Sequence, residues 1–144
     1  MTHRRIWVFF YGSYINLDVL AEVSMKPGEW QAARLLGFDL HIGPRANLLP
    51  NPNGVVHGTL GLCLHDDLAR LYDDHAFGVL GERYLPEAVL CVDAQGALRP
   101  AVTYVSHDMV NRPATHDYVE RIAKPAAALG FPGDYVTHIR SFAP

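Results

Sequence analysis

Arg5-Ile-Trp-Val-Phe-Phe-Tyr-Gly-Ser13 is the stretch whose reading decides the fold. Dense in β-branched and aromatic side chains and halted by Gly12-Ser13, it predicts a central strand that ends in a tight loop. Downstream, Leu17, Val19, Leu20 and Val23 suit a short helix from Asn16, closed by Pro27-Gly28. Trp30 to Ile42 alternates loosely as a long strand in which Gly37 is a bend. Residues 43–54 are crowded with Gly, Pro and Asn and predict a loop, leading into a strand from Val55 to Leu64 that carries Gly58 and Gly61.

Asp66-Asp67 predicts a helix start, because carboxylates suit the positive helix N-terminus; that helix runs through Tyr72 and ends near His75. Arg83 to Val92 and Ala101 to Ser106 read as antiparallel strands joined by the turn Asp93-Ala-Gln-Gly96. Tyr118, Ile122, Ala126 and Leu129 form one apolar helical face, stopped by Gly130 and Pro132, with a short helix from Asp134. Pro125 lacks an amide donor and predicts a kink at Ala123-Lys124. Strands and helices do not alternate regularly, so the class is α+β. Curvature-permitting glycines and the need to protect strand edges predict a small closed or nearly closed mixed or antiparallel β-barrel with peripheral helices.

The 144 residues fit a single domain, 1–144. Twelve Lys plus Arg against fifteen Asp plus Glu give 12 − 15 = −3, which offers no general attraction to phosphate backbones; no nucleic-acid partner is expected. With 49% hydrophobic and 19% charged residues, the chain has the apolar content for a packed core. The apolar run Ile6 to Phe10 is far too short to span a bilayer, so no membrane association is expected. Cys63 and Cys91 lie in apolar runs without a zinc-ligand spacing and read as buried hydrophobes in a reducing cytoplasm.

Phosphate loops, dinucleotide fingerprints, His-Glu-x-x-His and Gly-x-Ser-x-Gly elbows do not occur. The eight histidines are scattered, with no helical i, i+4 pair, so neither a metal site nor a cofactor is expected. The segment Phe10 to Asn16 stands out. A buried strand ending in Gly-Ser before a helix leaves backbone amides that could cradle a carboxylate. The local pattern alone favours a plain strand-to-helix turn, with Gly12 supplying the dihedral and Ser13 or Asn16 the cap.

Tyr11-Gly12-Ser13 after an apolar strand resembles the opening motif of the γ-glutamylcyclotransferase-like family, and Asn16-Leu17 continues it. Pro44 to Pro50, Val55 to Gly58, the hairpin from Tyr84 to Val105 and the tail from Pro113 to Tyr135 are similar in order, so the resemblance covers nearly the whole chain. It implies a reaction in which the α-amine of a γ-glutamyl group attacks its own γ-carbonyl, releasing an amine and 5-oxoproline. The implied partner is a small-molecule γ-glutamyl substrate, with Tyr11, Gly12 and Ser13 lining its pocket.

Two departures accompany the resemblance. Tyr14 stands where the family commonly has Asn, and matching Gly78-Val79 and Tyr84 puts Phe77 at the position of the family's catalytic Glu. Glu82 is the nearest carboxylate of that loop and is the candidate base, expected to share a pocket with Tyr11 to Tyr14. Arg45 is a substrate-binding candidate that could pair bidentately with a carboxylate and is as easily a solvated loop charge; Tyr84 and Tyr104, with polar tips that could point into the barrel, are further substrate-binding candidates for which core packing is the favoured alternative. A noncatalytic relative that binds a γ-glutamyl-like or other small carboxylate is the alternative, with Glu82 facing solvent.

Overall fold

The computed structural model describes residues 4–144. Strand β1 (Arg5–Phe10) is followed by a 3-10 turn (Ser13–Ile15) and helix α1 (Leu17–Glu22). Strands β2 (Trp30–Ile42) and β3 (Ala46–Leu64) form a long hairpin. Helix α2 (His65–Ala69) continues directly into a π-helical segment (Arg70–Phe77). Strands β4 (Leu85–Val92) and β5 (Leu98–Val105) make the second hairpin, and helices α3 (His116–Ala128) and α4 (Gly133–Arg140) complete the chain.

The strands close into a barrel in the order β1-β3-β2-β4-β5. All neighbouring pairs are antiparallel except β1 and β5, which run parallel at Val8↔Val102 and Phe9↔Thr103 and seal the barrel. The Thr103 hydroxyl reinforces that closure by donating to the Phe9 carbonyl at 3.0 Å. The predicted architecture, a closed mixed barrel with helices outside it, is therefore present. Phe9, Leu35, Val56 and Leu60 share one face of the sheet and Val8 lies on the other, all essentially inaccessible to water, while Val119, Ile122 and Ile139 are the buried faces of α3 and α4. Burying apolar faces of this kind is the main favourable term in folding. Among the described residues, no helix is long and apolar enough to cross a membrane.

Four local expectations are corrected. The turn-rich segment 43–54 is not a loop, because β3 already begins at Ala46 and carries Pro50 and Pro52 within it. Pro50 lies opposite Phe38, and this outer arm of β3 has only β2 beside it, the edge setting in which a strand tolerates proline. Gly37 (φ +89°) is the bend, and the β2–β3 register shifts there, between Leu36 and Phe38. Strand β4 starts at Leu85, not Arg83, and β5 runs from Leu98 to Val105. The expected kink at Ala123-Lys124 does not interrupt α3, which continues through Pro125; lying so near the C-terminal end, the proline removes one hydrogen bond and leaves the buried face intact. The helix from Asp66 also runs past His75 to Phe77, widening into π geometry.

Candidate functional site

The loop after β1 is held from below by the barrel. Gly12 packs so closely on the start of β3 that a Cβ built on it would lie 2.8 Å from Ala46 Cβ. Ala46 is itself fixed by two tyrosines: its amide donates to Tyr118 Oη at 3.0 Å, and its carbonyl accepts from Tyr84 Oη at 2.6 Å. Next to it, the Asn47 side chain donates to the Ser106 carbonyl and accepts from the Ser106 amide, pinning the start of β3 to the end of β5. Two of the turn's amides are consumed internally, Ile15 donating to Gly12 and Asn16 to Ser13. Asn16 in turn caps α1 by accepting from the Asp18 amide.

A narrow cavity of about 30 Å³ opens between this loop, the barrel rim and the π-helical segment. Tyr11, Gly12, Ser13, Tyr14, Arg45, Tyr84 and Tyr104 all line it, so the residues singled out from the sequence converge on one place, with Glu82 the exception. Sequence reading missed Tyr72, Ala76, Leu80 and Tyr118, which complete the wall. The signal for Tyr118 lay in the helical spacing that marked the inner face of α3. Tyr72 and Ala76 depend on the π-helical turn, which hydrophobic periodicity does not reveal.

Six of the chain's seven tyrosines therefore surround one small space. Tyr72 stacks flat on Tyr104, with ring centroids 3.7 Å apart. Tyr11 donates to the Tyr104 carbonyl, and Tyr14 hydrogen-bonds His75 Nδ1 at 2.8 Å. Burial pushes the hydroxyls of Tyr11, Tyr14, Tyr72 and Tyr84 well above the usual phenol range, so at neutral pH they are O–H groups that can both donate and accept. Burial also raises Tyr118, against the lowering pull of its hydrogen bond from the Ala46 amide and the nearby Arg45 charge. Arg45 lies over the Tyr118 ring, 4.7 Å from its centroid, and is the one charged side chain of the cavity wall among the described residues.

Glu82 is half-buried and lines an adjoining outer cleft of about 430 Å³, together with Arg45, Asp108 and Arg112. It does not line the tyrosine cavity, contrary to the expectation of a shared pocket. The reason is local: Gly81 takes a positive φ of +82° and turns the chain outward before β4. Arg45, Leu80 and Tyr118 belong to both walls, so the cavity and the cleft meet across them. Phe77, at the position where the resemblance places a Glu, lines neither; it is 47% exposed and lies under the Arg83 guanidinium. Its neighbour Ala76 is the residue of that turn that faces the cavity.

Among the described residues, no group of three or more His, Cys, Asp or Glu is gathered as metal ligands. Cys63 and Cys91 are buried, and burial pushes both thiols up to about 12, leaving them protonated and unreactive as nucleophiles.

No protein-family profile matches this sequence, and no curated protein matches it. Solved structures do. A γ-glutamyl cyclotransferase superposes with a TM-score of 0.81 at 21% identity, covering 98% of this chain and 89% of its own. An uncharacterized protein from Homo sapiens gives a TM-score of 0.83 at 20% identity over 98% and 89% of the two chains. A yeast γ-glutamyl cyclotransferase specific to glutathione gives 0.68 at 12% identity, covering 96% and 95%. The chain thus has the γ-glutamyl cyclotransferase-like fold.

Proposed function

We propose that this protein is a γ-glutamyl cyclotransferase-type enzyme acting on a small γ-glutamyl amine, without a metal or organic cofactor. The observation that carries the reading is the convergence of the Tyr11–Tyr14 loop, Arg45, Tyr84 and Tyr104 on one cavity of a barrel with this fold. The tyrosine cavity alone has room for little more than a water or two. A glutamyl group therefore lies across the cavity and the outer cleft, past Leu80. Arg45, shared by both walls, pairs with its α-carboxylate, and the fork of its guanidinium suits a bidentate contact. Holding that end fixed lets the five-atom ring close from a near-attack arrangement.

In this pose the scissile amide lies on the cleft side, where Glu82, less exposed than the cleft's other carboxylate, Asp108, moves a proton between the attacking and leaving nitrogens. Glu82→Gln keeps the shape and cannot accept that proton, so 5-oxoproline release should fall about 100-fold or more while substrate binding persists. The measurement is release of 5-oxoproline from a panel of γ-glutamyl amines, with binding of 5-oxoproline by calorimetry alongside.

A second reading, a noncatalytic binder of small carboxylates, draws support from the absence of any carboxylate in the tyrosine cavity and from the surface position of Phe77. It is preferred if 5-oxoproline binds and no γ-glutamyl amine of the panel is turned over.

A further inference from the structure

The tyrosine cavity has no carboxylate in its wall, yet one wall residue is tied to a titratable base behind it. Tyr14 lines the cavity, and its Oη lies 2.8 Å from His75 Nδ1. The partners come from different elements, the turn after β1 and the π-helical segment. Tyr14 is set edge-on against both Phe10 and Tyr72, with centroids 6.4 and 5.8 Å away, so its hydroxyl has a fixed direction. The widened turn of the π-helix delivers three neighbouring functions at once: Tyr72 and Ala76 to the cavity wall and His75 to the Tyr14 hydroxyl. Such segments are frequent at functional sites.

We propose that Tyr14 and His75 form a proton relay for the cyclisation proposed above, on which this inference rests. The substrate's α-ammonium gives a proton to Tyr14 Oη while Tyr14's own proton passes to His75 Nδ1. The freed amine lone pair forms the bond to the γ-carbonyl carbon, and the carbonyl π pair moves to its oxygen. Glu82 carries the second proton of the new ring nitrogen to the leaving nitrogen. The oxyanion then collapses, and the bond to the leaving group breaks with its electron pair on that nitrogen. His75 returns the first proton through Tyr14 to the released amine, so proton and charge balance without a co-reactant.

Tyr14 never ionises in this sequence, which agrees with a phenol held well above its usual range by burial. His75 acts through Tyr14 and is a positioning residue that also holds the proton. Burial lowers it from 6.5, Arg121 on α3 and Arg45 before β3 lower it further, and Glu22 on α1 pulls the other way. The imidazole is therefore neutral at pH 7 and free to accept.

The test is 5-oxoproline release against pH for the native protein, Tyr14→Phe and His75→Gln, with calorimetric binding of 5-oxoproline and thermal unfolding recorded for each. Tyr14→Phe keeps the packing on Phe10 and Tyr72 and should lose about 100-fold or more in kcat with binding undiminished. The native kcat profile should fall on an acidic limb below pH 6.5, as His75 becomes charged. His75→Gln still accepts from the Tyr14 hydroxyl but holds no proton, so it should lose both rate and limb. A Tyr14→Phe rate equal to native, or an acidic limb unchanged in His75→Gln, overturns the relay. If those results accompany a large loss in Glu82→Gln, the relay alone fails and the cyclisation stands. If the native protein releases no 5-oxoproline from any γ-glutamyl amine, both readings fall.

Discussion

Gly12 shows how much a single missing side chain decides at this site. Its φ is −102°, a value open to other residues, so what demands glycine is space and not left-handed backbone. Any side chain would press its Cβ into Ala46, whose own backbone anchors Tyr84 and Tyr118. We predict that Gly12→Ala costs about 1–3 kcal/mol through this overpacking and weakens 5-oxoproline binding beyond what the stability loss explains. Chemical denaturation and calorimetry on the same variant separate the two; unchanged affinity would show that the loop does not touch the ligand. At this scale the sequence was informative about Tyr11 to Tyr14, Arg45, Tyr84 and Tyr104, because strand ends and a Gly-Ser stop locate a loop. It was silent on direction. The resemblance points to Phe77 and, as the nearest carboxylate of that loop, to Glu82, and neither the outward turn at Gly81 nor the π-helical offset that brings Ala76 to the cavity can be counted from residue types.

Among the elements, β3 carries the largest share of the barrel, since it pairs with β2 along nearly its full length and with β1 from Thr59 to Leu64. Gly58 lies where these two ladders meet, and a Cβ there would come within 2.1 Å of the Phe10 carbonyl oxygen. That neighbour is backbone and cannot swing aside. Gly58→Ala should therefore destabilise by about 2–4 kcal/mol, at the severe end for a single methyl, as read from the denaturant midpoint. A shift of a few tenths would mean that β1 slides freely past β3. The strand glycines were legible as points of close approach, whereas the outer arm of β3 was not. Asn, Pro and Gly in residues 43–54 are turn residues by local preference, and only the unpaired outer edge of the hairpin makes them acceptable in a strand.

For the molecule as a whole, closure depends on two short seams. Beta2 meets β4 only at Arg34↔Val92 and Leu35↔Cys91, and β1 meets β5 only at Val8↔Val102 and Phe9↔Thr103. The hairpins on either side are far more extensively paired. Amide hydrogen exchange should accordingly be faster at the β2–β4 seam than within the β2–β3 ladder, since local opening follows the thinnest pairing; equal protection across both would mean that the barrel opens only by global unfolding. Composition and patterning sufficed for the α+β class and for a closed sheet. Strand order was out of reach, because the partner of β1 across the parallel seam lies 94 positions away (102 − 8) and no local pattern encodes it.

That distance has a consequence during synthesis. Strand β1 leaves the ribosome ahead of β5, and at about 5–20 residues per second this parallel partner follows roughly 5 to 20 seconds later. Until then the edge of β1 that faces away from β3 stays open on the nascent chain, even after β3 has paired along its other edge. Val8 to Phe10, almost wholly buried in the finished barrel, thus sit on a strand edge open to misassociation while the protein is being made.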